Sequence, residues 1–198
     1  MSVKTASTDA PILDLLAQRW SPRAFADRSV DAASLRSLFE AARWAASSFG
    51  EQPWSFLVAA REDVEEFEKL ASVLLPGNAW ARKVPVLALS VTALEFARNG
   101  KPNRHAYHDV GLAMGNVCTQ ATAMNLYVHQ MAGFDTVKAR EIFSIPERHD
   151  PVAMIAIGYV GDPNSLPDAQ RASEIAPRQR KTVGQFVFRG KWGEPAQL

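Results

Sequence analysis

Arg19-Trp20-Ser21-Pro22-Arg23-Ala24-Phe25, joined one helix later by Ser47-Ser48-Phe49-Gly50-Glu51-Gln52-Pro53-Trp54, is the sequence on which the reading of this chain turns. In the first segment two arginines flank a serine, and an aromatic anchor follows. The segment comes directly after a short amphipathic helix with an apolar stripe of Ile12, Leu15 and Leu16. Guanidinium groups and a hydroxyl at a helix-to-loop junction suit a phosphate, because arginine offers charge-assisted, bidentate hydrogen bonds to oxyanions. Two surface arginines on a solvated loop would look the same in a motif this short. The second segment and the elements around it carry the argument further.

Working outward, Asp31 is placed to cap a second helix whose apolar face is Leu35, Leu38, Phe39, Ala42 and Ala46. Ser47-Ser48-Phe49-Gly50 ends that helix with turn chemistry, and Gly50 can take a positive φ cheaply. Trp54 to Ala60 reads as a strand. Glu62 to Leu75 reads as a surface helix with Val64, Phe67, Leu70 and Leu74 on its inner side, stopped by Pro76-Gly77. Val84 to Ala93 reads as a buried strand. Asn103 to Asn125 is a long helix, apolar on nearly all sides, in which Gly111 and Gly115 stand one turn apart and allow a second backbone to approach. That partner is either an element of the same domain or the same helix of a second subunit. Leu126 to Met131 is a strand, Thr136 to Phe143 a short helix capped by Asp135, and Pro151 to Val160 a strand. From Gly161 the composition shifts to Pro, Asp, Gln and Arg with little periodicity. The tail still ends in Phe186, Val187, Phe188 and Trp192, which a disordered tail rarely keeps, so it reads as an extended arm that docks on something. Alternating strands and helices make the chain α/β or α+β.

At 198 residues, 47% of them hydrophobic, the chain suits one sizeable core and a single domain over 1–198. Lys and Arg number 22 against 21 Asp and Glu, a net charge of +1, which gives no footprint for nucleic acid. Cys118 is the only cysteine, which excludes an intramolecular disulfide, and its apolar helical neighbours favour an inert thiol. Met1 to Ala10 lacks the apolar region of a secretory signal, and Val84 to Leu94 is too short to span a bilayer. A soluble cytoplasmic protein is expected. His105 and His108, followed by Asp109, lie at metal-ligand spacing on one helix face, but a closed zinc site needs about four ligands and no others are evident, so no metal is expected. There is no Ser-His-Asp elbow, Walker loop or dinucleotide fingerprint.

Taken together in order, these segments resemble the nitroreductase family of flavin mononucleotide (FMN) enzymes. That family opens with an arginine, a serine, a second basic residue and a phenylalanine, and follows with a Ser-Ser-x-Asn-x-Gln-Pro-Trp type turn. The likeness continues through Asn78, Val84-Pro85-Val86-Leu87, Gln130-Met131-Ala132-Gly133-Phe134-Asp135, Ile155-Ala156-Ile157-Gly158-Tyr159 and Arg178-Gln179-Arg180-Lys181, covering roughly residues 12 to 192. The resemblance implies an α+β fold, a mixed sheet surrounded by helices, in a homodimer whose C-terminal arm (162–198) embraces the partner.

It also implies a cofactor, FMN, with NADH or NADPH as transient donor. Arg19 and Ser21 then hold the phosphate, joined by Arg180 and by Arg178 or Lys181, with Trp20 contributing through its backbone. Arg23 faces N1 and O2, where the reduced ring carries negative charge. Asn78 meets the ring's polar edge, and the backbone of Ala132 and Gly133 faces N5. Ser47, Ser48 and Gln52 reach the flavin across the dimer interface. No side chain is expected to be catalytic, because the chemistry lies at flavin N5 and protons can come from water. The expected activity is hydride transfer from NAD(P)H to a nitroaromatic, quinone or related small acceptor, with ping-pong kinetics. The alternatives are a non-enzymatic FMN-binding or storage protein, and a specialised family member that destroys flavin or removes halogen reductively. Two positions depart from the family pattern. Gly50 replaces the usual asparagine, removing one polar contact near the flavin, and Ala132 stands where glycine or glutamate is common.

Overall fold

Leu87, Leu89 and Val91 belong to one hydrophobic core and Val86 and Ala88 to another, and the molecule is arranged around that alternation. All five lie on one strand, whose side chains must alternate between faces because the backbone period is two. The structure is a computed structural model describing residues 4–198; the first three residues of the polar N-terminal stretch lie outside the described residues.

The central strand β2 (Val86–Ala93) pairs on one side with β1 (Trp54–Ala60) and on the other with β4 (His149–Gly158), and β3 (Tyr127–Met131) pairs with β4 at the edge, giving the order β1-β2-β4-β3. Leu89 faces Met154 across the β2–β4 ladder and Leu87 faces Ala156. The register slips by one residue at Ser90/Val91, opposite Pro151, whose missing N–H cannot serve a ladder. The α+β class is as expected. Within the sheet, all three pairings are antiparallel rather than mixed. The helical connections from β1 to β2 and from β3 to β4 each return the chain beside the strand it has just left, running the opposite way.

Helices cover both faces. On one, α3 (Val64–Ser72) brings Phe67 and Leu70, and α5 (Thr136–Ile142) brings Ala139. On the other, α2 (Ala32–Arg43) brings Leu38 and Ala42, and α4 (Ala106–Ala123) brings Ala113, Met114, Val117 and Ala121. The two expected caps are formed: Asp31 accepts from the Ser34 N–H at 2.8 Å and Asp135 from the Lys138 N–H at 2.9 Å, each worth about 1 kcal/mol. The helix expected to run to Leu75 stops at Ser72, where Leu74 bridges Phe134 instead, and Pro76-Gly77 opens a separate 3-10 segment, Pro76–Lys83, since proline in a first helical turn removes only an N–H that has no partner there.

Three faces are left open. Of the expected stripe, Ile12 lies ahead of α1 (Asp14–Gln18) and Leu16 within it, and both are exposed. In α4 the face bearing Gly111, Leu112 and Gly115 is exposed, and a Cβ added at either glycine would meet no atom of the described residues within 4 Å. Packing inside this chain is therefore not what the two glycines serve. The tail is more structured than its sequence indicates. It holds a helix, α6 (Asp168–Ile175), and a 3-10 turn, Val183–Gln185, but Phe186 and Trp192 remain exposed. Among the described residues, no helix is long and apolar enough to cross a membrane.

Candidate functional site

The Arg19–Phe25 segment crosses the end of the sheet and is held there from three sides. The end of β4 grips it first: Ala26 donates to Tyr159 O at 2.8 Å and Gly161 to Ala24 O at 2.8 Å. A Cβ at Gly161 would lie 2.4 Å from the Phe25 carbonyl carbon, so only glycine lets these backbones pass. β3 supplies His129, whose Nδ1 lies 2.8 Å from Pro22 O. A carbonyl only accepts, so the imidazole donates Nδ1–H. Burial pushes the His129 pKa below its usual value, the Pro22 carbonyl partly offsets this, and Arg23 pushes it down further. Third, Glu174 of α6 reaches the loop. Its carboxylate, 3% exposed, accepts from the Arg23 N–H at 2.9 and 3.1 Å and from the Ala24 N–H at 3.0 Å.

Fixing the loop leaves its cations free to converge. Arg19 ends α1. Arg178 arrives from the tail and donates through Nη1 to Ala17 O at 2.8 Å and Lys4 O at 3.0 Å. Its pKa is pushed down, first by burial and then by the charges of Arg19 and Arg180. Arg19 and Arg180, from opposite ends of the chain, are thus both within electrostatic reach of Arg178. Among the described residues none of the three has a carboxylate in ion-pair contact. Mutual repulsion of this kind is relieved by an anion. Ser21 and Lys181 are exposed beside these groups in sequence. Trp20 packs its ring edge-on against Tyr127, and its buried indole N–H has no hydrogen-bond partner.

A second cluster forms where β3 ends. Asn78 Nδ2 donates to Gly133 O at 2.9 Å, and Leu75 N–H donates to the same oxygen at 3.2 Å. A Cβ at Gly133 would come within 2.7 Å of Asn78 Nδ2, so the glycine is what allows the amide to lie against the backbone. Ala132, the next residue back, is exposed.

Ser47, Ser48 and Gln52 lie in a separate turn. The Ser47 hydroxyl accepts from Gln52 N–H at 3.0 Å, and Ser48 N–H donates to Asp109 Oδ2 at 2.9 Å. Gly50 takes φ +69 as expected, and Phe49 and Gln52 also adopt left-handed conformations, at φ 56 and 51. Non-glycine residues hold such angles only where the surroundings enforce them. No hydrogen bond, ion pair or ring contact among the described residues joins this turn to the Arg19–Phe25 loop within one chain.

Sequence reasoning missed two of the anchoring residues. Glu174 sits in a polar stretch without periodicity, where an acid signals nothing. Asp109 drew notice only beside His105 and His108. It is 2% exposed and spends one oxygen on Ser48, the other lying 3.1 Å from His108 Nδ1. A single acid among apolar neighbours in a buried helix was the available signal. Among the described residues no group of three His, Cys, Asp or Glu side chains is arranged to hold a metal. Cys118 is buried, which pushes its thiol pKa up.

The family model of the nitroreductase family matches residues 16–159. Protein DrgA of Synechocystis is 31% identical over 172 residues, covering 73% of this chain and 82% of that protein. Iodotyrosine deiodinase 1 of mouse is 24% identical over 191 residues, covering 80% of this chain and 65% of that protein. Among solved structures, an oxidoreductase described as containing FMN superposes with a TM-score of 0.90 at 28% identity, covering 98% of this chain and 99% of that one.

Proposed function

This chain belongs to the nitroreductase family of oxidoreductases, and from that membership we propose that it is an FMN-dependent enzyme moving hydride from NADH or NADPH to a nitroaromatic, a quinone or a related small acceptor. The observation that carries the reading is the convergence of Arg19 and Arg180 on Arg178, with no acid paired to any of them among the described residues, which fits a phosphate. Bound FMN supplies the hydride chemistry, and the protein supplies placement.

In this reading Arg19, Ser21 and Arg180 grip the phosphate. Arg178, whose Nη1 is committed to two backbone carbonyls, frames the site while contributing charge. Arg23 presents a permanent positive charge to the pyrimidine edge of the ring. Asn78 and the Ala132–Gly133 backbone meet the ring's polar side. Ser47, Ser48 and Gln52 serve the flavin of a second copy, in keeping with their separation from the Arg19 loop within one chain. The exposed glycine face of α4 meets its counterpart in that homodimer, and the arm, residues 162–198 of the one domain, lies over the partner. The protein works in the cytoplasm. Donor and acceptor bind in turn over the same ring face, which gives ping-pong kinetics, and no side-chain acid or base is required.

The absorption spectrum of the purified protein tests this. It should be yellow, and anaerobic NADH or NADPH should bleach it. Bleaching separates an enzyme from a flavin store. Steady-state plots against a quinone should be parallel. A colourless protein that fails to take up FMN at micromolar concentration would overturn the reading. The likeness to mouse iodotyrosine deiodinase 1 favours one second reading, reductive dehalogenation, which halide release from a halogenated phenol would reveal.

A further inference from the structure

Beside the Arg19–Phe25 loop, and touching the site described above at Arg23 and Phe25, lies a cavity of about 730 Å³ between the 3-10 segment Pro76–Lys83, the strand entry at Val84 and the first part of the arm. That volume is within the range of small-molecule pockets, roughly 300–1,000 Å³. Phe25 and Trp80, stacked with parallel rings, and Leu166 give it apolar walls. Its charge is one-sided. Two of the cations on its wall are already paired, Arg61 with Asp27 and Arg82 with Glu68. Arg23 and Lys83 line the same space, and among the described residues neither side chain has an ion-pair partner.

Two further atoms on the lining residues are unsatisfied. The indole N–H of Trp80 and the side-chain oxygen of Gln170 in α6 are both buried without a hydrogen-bond partner. A buried polar group left unpaired costs about 1–3 kcal/mol, and native proteins rarely keep one without a function. Both atoms have almost no accessible surface, so what the cavity offers an occupant is two unpaired cations and an aromatic wall.

We propose that this cavity binds a small aromatic carboxylate. The ring lies along Phe25 and Trp80, where aromatic faces contribute beyond area burial alone. The carboxylate is met by Lys83 and Arg23. Neither an uncharged ring nor an aliphatic anion satisfies all of these groups. The inference does not rest on the flavin reading, because every group except Arg23 lies outside the residues assigned to FMN.

4-Hydroxybenzoate is the probe, titrated calorimetrically into the protein with FMN supplied and into the protein stripped of flavin. Saturable one-to-one binding is expected in both. Phenol, which lacks the carboxylate, should bind at least about fivefold more weakly, on the order of 1 kcal/mol. Lys83→Ala should weaken 4-hydroxybenzoate by a similar factor. Lys83 is exposed, so this variant folds, and Leu166→Ala gives an independent loss from the opposite wall. Absence of saturable binding at millimolar concentration would overturn the proposal. So would affinity unchanged by both substitutions, or displacement of the probe by FMN, which would put it on the flavin's ground. If the protein proves not to bind FMN, the titration of the bare chain decides this proposal by itself.

Discussion

Replacing Glu174 by alanine is expected to destabilise the protein by about 2–4 kcal/mol. The carboxylate accepts from two backbone N–H groups, Arg23 at 2.9 and 3.1 Å and Ala24 at 3.0 Å, across some 150 residues of chain. A hydrogen bond to a charged acceptor contributes about 1.5–3 kcal/mol. The two do not add fully, since they share one carboxylate. Arg23 is half-buried, so water recovers part of its loss, but Ala24 is 1% exposed and water cannot reach it. Losing the carboxylate also relieves the cost of holding a charge 3% exposed, which sets the upper limit. Glu174→Gln keeps one oxygen for both donors and should cost only about 1 kcal/mol. Urea unfolding of the flavin-stripped protein, followed by circular dichroism, measures these differences without involving the cofactor. The same order, wild type above Gln above Ala, is expected for FMN affinity, because the loop that Glu174 pins carries Arg23. An alanine variant within about 0.5 kcal/mol of wild type, the range of ordinary surface changes, would refute the argument. A glutamine variant as costly as alanine would refute the claim that acceptor geometry outweighs charge.

Gly115→Leu should convert the proposed homodimer to a monomer by light scattering without lowering the stability of the chain itself, because no atom of the described residues lies within 4 Å of a Cβ at that position; an unchanged dimer would remove α4 from the interface. Arg19→Ala should weaken FMN binding by about 1.5–3 kcal/mol, whereas Arg23→Ala should chiefly make the bound flavin harder to reduce; equal effects of both variants on affinity and midpoint potential would contradict the division of roles. Because burial lowers the His129 pKa, the folded chain binds fewer protons than the unfolded chain between the lowered value and the usual 6.5. Stability should therefore be flat above about 6.5 on this account and fall as pH drops below it. His129→Asn, which keeps a donor for Pro22 O, should flatten that acid limb in pH-dependent unfolding, and an unaltered slope would count against a neutral His129.

Local chemistry made much of this protein legible from its sequence. The strand Trp54–Ala60 was readable to the residue, and the caps Asp31 and Asp135 were readable by type and spacing, because strand alternation and capping depend on neighbours a few residues away. The order of the Arg19, Ser47, Asn78, Gly133 and Arg180 segments pointed to the family, because family motifs are strings. Only the tertiary structure decided how the sheet pairs and what holds the site, since those contacts join residues that no sequence window contains together. It brought Glu174 to Arg23 and Arg178 to Ala17, and set Asp109 beneath Ser48. It also found a helix in a tail with no apolar period, where α6 is fixed not by an apolar stripe but by one buried carboxylate. And it showed that Gly111 and Gly115 face open space. Their close-packing use was legible in the sequence, but which surface they approach depends on where the rest of the chain ends.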